Sequence, residues 1–173
     1  RLGRLVHNQG HAQGLKPTQW EMLRYLAQAN RFSRTPSSVT LYMNMTKGTV
    51  SQSLSTLQRK GLVNKHVDPA DRRAVSLSLS PAAIQLLEND PLKHLDMSIG
   101  AASPTLQAEL ETTLRQTLLV CLKAQGGRPF GLCAQCVHFR KDARNGHPHF
   151  CSLLSQPLSQ DDSQHICAEQ VPA

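Results

Sequence analysis

The sequence predicts a mainly α-helical fold with one small β-hairpin, followed by a short, loop-rich C-terminal tail. Apolar residues recur at helical spacing between Pro, Gly and Ser along residues 15–124, which is typical of several short helices. Two stretches with partial alternation of polarity, residues 62–67 and 74–79, lie close together and indicate a hairpin. Four of the five cysteines fall in the last part of the chain. We therefore expect two regions, residues 1–127 and residues 128–173.

Positive charge is concentrated in the first of these regions. Residues 1–127 contain 15 Lys and Arg against 8 Asp and Glu, whereas residues 128–173 contain 4 of each. Such a localised field favours a polyanion such as DNA, and a solvated basic face is the alternative. No apolar run approaches the ~20 residues of a membrane span, and no signal peptide is visible, so a cytoplasmic protein is expected. No hydrolytic triad or phosphate-binding loop is recognisable, so we do not expect an enzyme.

The first helices are predicted from apolar spacing and from breaks. A weak apolar stripe in residues 1–12 is followed by a clear one that begins near Thr18, a candidate N-cap. The run Phe-Ser-Arg-Thr-Pro over residues 32–36 breaks that helix. A short helix is expected next, over about residues 37–43.

The helix predicted over residues 46–60 carries the most informative pattern. Thr46 is a suitable N-cap and Gly61 a suitable stop signal. Apolar residues at i, i+4 and i+7 should face the core, namely Val50, Leu54 and Leu57. The opposite face is polar and almost free of acid, and it comprises Lys47, Gly48, Ser51, Gln52, Ser55 and Arg59. A merely solvated helix favours Glu–Lys pairs, so this face indicates a binding surface.

The predicted hairpin follows this helix directly. Its strands cover residues 62–67 and 74–79, and the connection, residues 68–73, is a polar turn with basic residues at its tip. A short helix, a turn, a polar-faced helix and such a hairpin together describe a winged helix-turn-helix. In that fold the second helix can enter the major groove of DNA, and the hairpin can reach the minor groove.

The remaining helices point to a homodimer. Ser80-Pro81 restarts a helix, Asp90-Pro91 interrupts it, and Ser103-Pro104 opens a long helix that reaches about residue 124. One face of the long helix is apolar, namely Leu106, Leu110, Leu114, Thr117, Leu118, Cys121 and Leu122. This face is larger than one small copy can cover, so we expect it to pair with a second copy, together with residues 1–12. Cys121 is interpreted as a packing residue in this stripe.

Several ordered motifs resemble one family of bacterial regulators. They are Thr18-Gln-Trp20, Thr46-Lys-Gly-Thr-Val-Ser51, Leu57-Gln-Arg-Lys-Gly-Leu-Val63, Asp68-Pro-Ala-Asp-Arg-Arg73 and Leu79-Ser-Pro81. Over residues 1–125 the chain resembles the MarR family of winged-helix regulators. The resemblance implies a homodimer that binds palindromic operators in double-stranded DNA, usually as a repressor released by a ligand or an oxidant.

The same resemblance assigns roles to individual residues. At the major groove it places Thr46, Lys47, Thr49, Ser51 and Gln52, whose hydroxyl, amide and ammonium groups suit base edges and phosphates alike. Arg72, at the tip of the hairpin, is expected in the minor groove. Arg73 either contacts DNA as well or pairs with Asp68 or Asp71 and stiffens the hairpin. His66 is interpreted as a strand residue rather than a switch.

The cysteines of the tail form a separate pattern. Cys133, Cys136, Cys151 and Cys167 are separated by 2, 14 and 15 residues, in a segment too polar to form its own apolar core. Disulfides are disfavoured in a reducing cytosol, and four thiolates suit zinc or an iron–sulfur cluster. Zinc ribbons generally supply two close pairs of ligands, whereas only one pair is close here. One pair and two singles resembles the high-potential iron–sulfur proteins, which implies a 4Fe-4S cluster, with zinc as the alternative.

Other residues of the tail could complete such a centre. Four histidines could replace a thiolate, namely His138, His147, His149 and His165, and His165 is the most plausible substitute because it lies two residues before Cys167. Apolar residues should form a shell around the sulfurs, namely Phe130, Phe139, Phe150, Leu153, Leu154 and Ile166.

Three hypotheses follow from these patterns. The first is a redox- or iron-responsive repressor in which the cluster, packed on the long helix over residues 104–124, changes the separation of the two DNA-reading helices. The second is a repressor with a structural zinc site and a small phenolic or aromatic ligand as the signal. The third is an electron-transfer or thiol-redox module, which leaves the winged helix and the localised charge unexplained.

Overall fold

The computed structural model describes residues 1, 3, 14–69, 71, 73–142 and 146–173. Its first region contains six helices among these residues: α1 (Pro17–Gln28), α2 (Pro36–Met43), α3 (Lys47–Arg59), α4 (Pro81–Glu88), α5 (Lys93–Gly100) and α6 (Pro104–Ala124). Strands β1 (Val63–Val67) and β2 (Val75–Leu79) pair antiparallel, with Val63 opposite Leu79 and Val67 opposite Val75. This order confirms the predicted winged helix-turn-helix. Most of the stripe expected in residues 1–12 lies outside the described residues, as does Arg72.

Hydroxyl caps begin four of the helices. The side chains of Thr35, Thr46, Ser80 and Ser103 each accept a hydrogen bond from the backbone N–H three residues ahead. The expected cap at Thr18 is wrong, because α1 already begins at Pro17. Proline suits the first helical position, and the Lys16 N–H donates instead to Gln19 Oε1 at 2.9 Å.

A single apolar core joins α1, α2, α3, the hairpin and α4. Its largest fully buried side chains include Trp20, Met22, Leu23, Tyr25, Leu26 and Leu57. The predicted inner face of α3 is confirmed, since Val50, Leu54 and Leu57 are all buried. The polar face of α3 consequently points away from the core.

Helices α5 and α6 differ from the others because neither has a buried residue. On α6, Leu118 is 57% and Val120 70% exposed. Cys121 is exposed as well, so within one chain the interpretation of this thiol as core packing is wrong. Among the described residues, no helix combines the length and the apolar character needed to cross a bilayer.

The tail is built from very short strands rather than from loops alone. It comprises β3 (Gly131–Leu132), a 3-10 turn (Cys133–Gln135), β4 (Phe139–Lys141), β5 (His149–Cys151), β6 (Gln156–Leu158), the one-turn helix α7 (Gln160–Ser163) and β7 (Ile166–Cys167). Strands β3 and β7 form one antiparallel pair, and β4, β5 and β6 form an antiparallel sheet in that order.

A bidentate ion pair ties α1 to the connection between α4 and α5. Arg24 Nε and Nη2 each donate to the carboxylate of Asp90 at 2.6 Å, and the Leu92 N–H donates to Asp90 Oδ1 at 2.8 Å. Burial opposes ionisation of Asp90, but the hydrogen bonds from Arg24 and Leu92 outweigh it and hold the pKa of this carboxyl below its ordinary value.

We expect Asp90→Asn to lower the free energy of unfolding by about 2 kcal/mol at pH 7, because it removes charge-assisted hydrogen bonds. A carboxyl with a lowered folded-state pKa stabilises the protein above its unfolded pKa of about 3.9, and that contribution disappears as pH falls through the folded value. The difference between the two proteins should therefore shrink below pH 4. Urea unfolding across pH 2–7 measures it.

Asp96→Asn, at an exposed position on α5, is the matched control and should change stability by less than about 0.5 kcal/mol. A pH-independent difference between Asp90→Asn and the wild type would contradict the assigned role of the ion pair.

Candidate nucleic-acid interface and cysteine cluster

The exposed face of α3 forms the candidate nucleic-acid interface. The structure places the five predicted major-groove residues together at the N-terminal half of α3 and its cap, and all are exposed: Thr46, Lys47, Thr49, Ser51 and Gln52. The hydroxyl of Thr46 accepts from the Thr49 N–H at 3.2 Å and lies 2.9 Å from the Thr49 hydroxyl. Both hydroxyls therefore also hold the start of the helix, whose partial positive charge favours phosphate.

A groove between the start of α1 and the polar face of α3 widens this interface. It is lined from α1 by Lys16, Thr18 and Gln19, and from α3 by residues that include Gln52 and Arg59. The described lining residues include two cations and no carboxylate. Lys16 and Thr18 were missed at the level of sequence, because their proximity to α3 depends on how α1 packs.

Carboxylates shape the tip of the hairpin. The backbone N–H of Arg73 donates to Asp71 Oδ1 at 2.9 Å, and the Asp71 N–H donates to Asp68 Oδ1 at 3.4 Å. The described contact of Arg73 with Asp71 thus runs through its backbone. His66 lies on β1 and its Nε2 is 2.8 Å from Ser78 Oγ, which confirms its interpretation as a strand residue.

The second candidate site is the cysteine cluster, defined as Cys133, Cys136, Cys151 and Cys167. Three of its members are almost fully buried, with Cys133 4%, Cys151 8% and Cys167 6% exposed, and they share one apolar cluster with Leu158. All of the cysteines are free thiols. Pairing of β3 with β7 and of β4 with β5 brings these residues together from distant positions in the sequence.

Backbone bonds hold the thiols in place. The Cys133 N–H donates to the His165 carbonyl at 3.0 Å, and the Cys136 N–H donates to the Cys133 carbonyl at 3.2 Å. The Val171 N–H donates to Cys136 Sγ at 3.4 Å, a contact that suits a thiolate. A Cβ at Gly131 would lie 2.8 Å from the side-chain amide of Gln170, so a larger residue there would have to displace that amide.

Burial of the cysteine cluster disfavours negative charge on Cys133. Burial, followed by the neighbouring thiols of Cys167, Cys151 and Cys136, raises the pKa of Cys133 to about 12. Cys133 is therefore a neutral thiol at pH 7 unless a cation replaces its proton, which is the usual chemistry of thiolate metal sites. By donor type, burial and N–H···S bonding, these residues have the chemistry of thiolate ligands, although their described side chains do not converge on one position for a metal ion.

The arrangement is not that of a closed single-ion site. Among the described side chains, no group of three or more Cys, His, Asp or Glu is positioned to hold one metal ion. Tetrahedral zinc with Zn–S bonds of about 2.3 Å requires its sulfurs about 3.8 Å apart. A four-iron cluster holds its four thiolates farther apart, because each binds a different iron atom.

The apolar shell differs from the prediction in four of its six members, and Phe150 is one of them because its described side chain does not pack against the buried cysteines. Phe139 and Leu154 pack against the cysteines as expected. Phe130 and Ile166 instead pack against the helical core, and Leu153 is 47% exposed, so their assignment to the shell is wrong. Phe32, which precedes α2, packs against the cysteines from the first region. The reason is that β3 and β7 lie against the helices, a contact between regions that spacing cannot show.

The tail histidines also differ in availability. His165 Nδ1 lies 2.6 Å from the Asp161 carbonyl oxygen, so this ring nitrogen is engaged. His149 is 5% exposed, and its Nε2 lies 2.8 Å from Gln160 Oε1, while its Nδ1 has no hydrogen-bond partner.

The tail docks on the helix-turn-helix as well as lying near α6. The Asn30 N–H donates to the Ile166 carbonyl at 2.9 Å, and Phe130 meets Tyr25 and Tyr42 edge-on at ring-centroid distances of 6.0 and 5.3 Å. The expectation that the tail acts on the long helix over residues 104–124 therefore missed its hydrogen-bonded contacts. These run to the connection between α1 and α2.

Comparison with known proteins agrees with the helical architecture. The model of the MarR family matches residues 13–74, which span α1 to the start of the hairpin strand β2. The DNA complex of S. aureus MepR is 21% identical, covers 68% of this chain and 88% of its own, and superposes with a TM-score of 0.56. The chain therefore has a winged-helix fold like that of MepR, and its residues 13–74 are similar to the MarR family.

Two further proteins are similar to about two thirds of this chain. A probable transcriptional regulator from Pseudomonas aeruginosa is 24% identical, with coverage of 67% and 90% and a TM-score of 0.50. The putative transcriptional regulatory protein for the hcr operon of Thauera aromatica is 24% identical over 111 residues, or 64% of this chain. The aligned part spans 63% of that relative's length. The family match ends before the cysteine cluster begins.

The raised pKa of Cys133 predicts slow alkylation in metal-free protein. At pH 8 an unperturbed thiol, with a pKa of about 8.5, should react about 50-fold faster, after allowance for the greater nucleophilicity of a more basic thiolate. Exposed Cys121 serves as the internal reference, and mass spectrometry after timed iodoacetamide treatment measures both. The Cys133 rate should still rise about tenfold per pH unit from pH 8 to 10. A plateau near pH 9 would contradict the raised pKa, since poor access alone does not produce that slope.

Proposed function

We propose that this protein is a sequence-specific, DNA-binding transcriptional regulator, acting as a repressor in the cytoplasm and not as an enzyme. The observation that carries the proposal is the exposed, acid-free face of α3, which a fully buried apolar stripe holds on the opposite side. The MarR fold supports it, and MepR, which is similar in fold, has been solved bound to DNA. The relative from Thauera aromatica is itself described as a putative transcriptional regulatory protein.

Two copies are expected to act together on a palindromic operator in double-stranded DNA. Exposed apolar side chains on α6 support a homodimer, namely Leu106, Leu114, Leu118, Leu119 and Val120. A two-fold dimer presents two α3 helices to half-sites one helical turn, about 34 Å, apart. No part of the described chain covers these leucines. The same surface of a second copy would bury them.

Individual residues take distinct parts in this proposal. Lys47, at the N-terminus of α3, neutralises a backbone phosphate, while Ser51 and Gln52 on the following turn reach base edges. Thr46 and Thr49 support the helix start and contact phosphate. Arg72 and Arg73 reach the minor groove from the hairpin.

Lys47→Ala should weaken operator binding about tenfold and reduce its dependence on salt. Losing one phosphate contact in each of two subunits should lower the slope of log K against log salt by about 1.8. Fluorescence anisotropy with an operator selected from a random duplex library, at four salt concentrations, gives both values. Lys123→Ala removes the same charge from the exposed end of α6 and should leave both unchanged. An equal effect of the two variants would point to non-specific attraction and contradict the interface.

The proposal includes a metal centre in the tail. We propose that Cys133, Cys136, Cys151 and Cys167 bind a 4Fe-4S cluster, which would supply a redox- and iron-sensitive charge to a segment otherwise too small to be stable. Three buried thiols and a backbone N–H directed at the fourth support a thiolate centre. One close pair of cysteines and two separated single cysteines favour the cluster over zinc. The state of the centre would then modulate operator binding.

Anaerobically purified protein should contain about four iron and four sulfide per chain and be coloured. Cys133→Ser and Cys167→Ser should each lose most of the iron, because each removes a ligand to the centre, whereas Cys121→Ser should retain it. Metal and sulfide analysis, with absorbance, measures the outcome. One zinc per chain without sulfide would contradict the cluster and support a structural zinc site. Protein without metal that reduces a partner disulfide, with no operator found, would support a thiol-redox module instead.

A further inference from the structure

We propose that residues 29–33, which connect α1 to α2, couple the cysteine cluster to the DNA-reading helices inside each subunit. We call residues 29–33 the docking segment. The inference rests on the proposed function, because it concerns how a bound centre would influence α3. The sequence predicts that the cluster acts on α3 through the dimer interface, whereas the docking segment connects the two within one subunit.

The docking segment is hydrogen-bonded to both neighbours of one cluster cysteine. The Asn30 N–H donates to the Ile166 carbonyl at 2.9 Å, and the Ala168 N–H donates to Ser33 Oγ at 2.8 Å, in a buried position. Cys167 lies between these two anchors. The Cys167 backbone therefore cannot shift toward or away from a metal centre without straining one of the two bonds or moving the docking segment.

Side chains of the docking segment reach the cluster directly. Phe32 packs against the buried cysteines, and the Arg31 guanidinium lies over the Phe32 ring, 4.6 Å from its centroid. Arg31 also donates to the Pro157 carbonyl, and its Nε lies 3.6 Å from the carboxylate of buried Asp162. Arg31 therefore links Phe32, which touches the cysteines, to two further parts of the tail.

The docking segment also contacts the helix-turn-helix. Tyr25 Oη donates to the Ser33 carbonyl at 2.8 Å, and the Ser33 N–H donates to Asn30 Oδ1 at 3.0 Å, so the segment is a tightly bonded turn. Two residues later Thr35 caps α2, and α2 packs against α3. The orientation of α2 and α3 relative to α1 therefore depends on this turn.

Helix α6 makes a weaker connection by comparison. It has no buried residue in the chain, and it borders the tail across an open groove lined by Leu118, Leu122 and Phe130, among others. Hydrogen bonds across a buried contact transmit a displacement, whereas an open groove absorbs it. The docking segment is accordingly the element through which the state of the cluster should bias α3.

Ser33→Ala tests the coupling, because it removes the acceptor of the Ala168 N–H and leaves the cysteines and α3 unchanged. The measured quantity is the ratio of operator dissociation constants between anaerobically reconstituted and iron-stripped protein. We expect Ser33→Ala to bring this ratio about fivefold closer to 1, because one buried hydrogen bond is lost. The iron content of the variant should equal that of the wild type. Ser163→Ala is the matched control: its buried hydroxyl donates to the Gln160 carbonyl at 2.6 Å, entirely inside the tail, and its ratio should equal that of the wild type.

Hydrogen exchange on the wild type provides a second measurement that does not depend on the variant folding or on DNA. Removal of iron should increase exchange in peptides that cover residues 29–33 and 166–168, more than in peptides from α6. Two results overturn the coupling and leave the cluster as effector intact. In the first, the wild-type ratio differs from 1 and Ser33→Ala does not change it. In the second, iron-dependent exchange is confined to α6. A wild-type ratio of one overturns both the coupling and the cluster as effector. Protein that binds the operator but takes up no iron or sulfide on anaerobic reconstitution overturns the cluster and leaves the DNA-binding proposal intact.

Discussion

Burial of one face of α3 is the constraint on which the rest of the structure depends. Val50, Leu54 and Leu57 complete the core formed by Trp20 and the other side chains of α1. Because a helix repeats every 3.6 residues, anchoring this stripe leaves the polar face of α3 nowhere to point but outward. The packing of the small core therefore also exposes the polar face of α3.

The tail cannot form a sufficient apolar core by itself. Its strands are two or three residues long, and its own buried apolar cluster consists of three cysteines and Leu158. Its Phe130 and Ile166 pack against the helical core, and Phe32, from the connection between α1 and α2, packs against its cysteines. These contacts with the first region order the tail. The tail and the helix-turn-helix therefore share buried contacts, and movement of one requires movement of the other.

Elements governed by local rules were predictable from sequence. The caps at Thr46, Ser80 and Ser103, the stop at Gly61 and the break at Asp90 are set by residues within one turn of the helix end, and all agree with the structure. Thr18 failed as a cap for an equally local reason, since Pro17 already occupies the first helical position. Within the site, the exposed face of α3 followed from periodicity, whereas Lys16 joined it only through the packing of α1.

By itself, the sequence determined the order of helices and hairpin, the polar face of α3 and the presence of four thiols in a coreless tail, because short-range spacing encodes each of them. Only the tertiary structure decided where the tail rests. The bonds from Asn30 to Ile166 and from Ala168 to Ser33 join residues about 135 positions apart. No periodicity in the sequence relates such residues. Their contact depends on how the apolar side chains of both regions pack together.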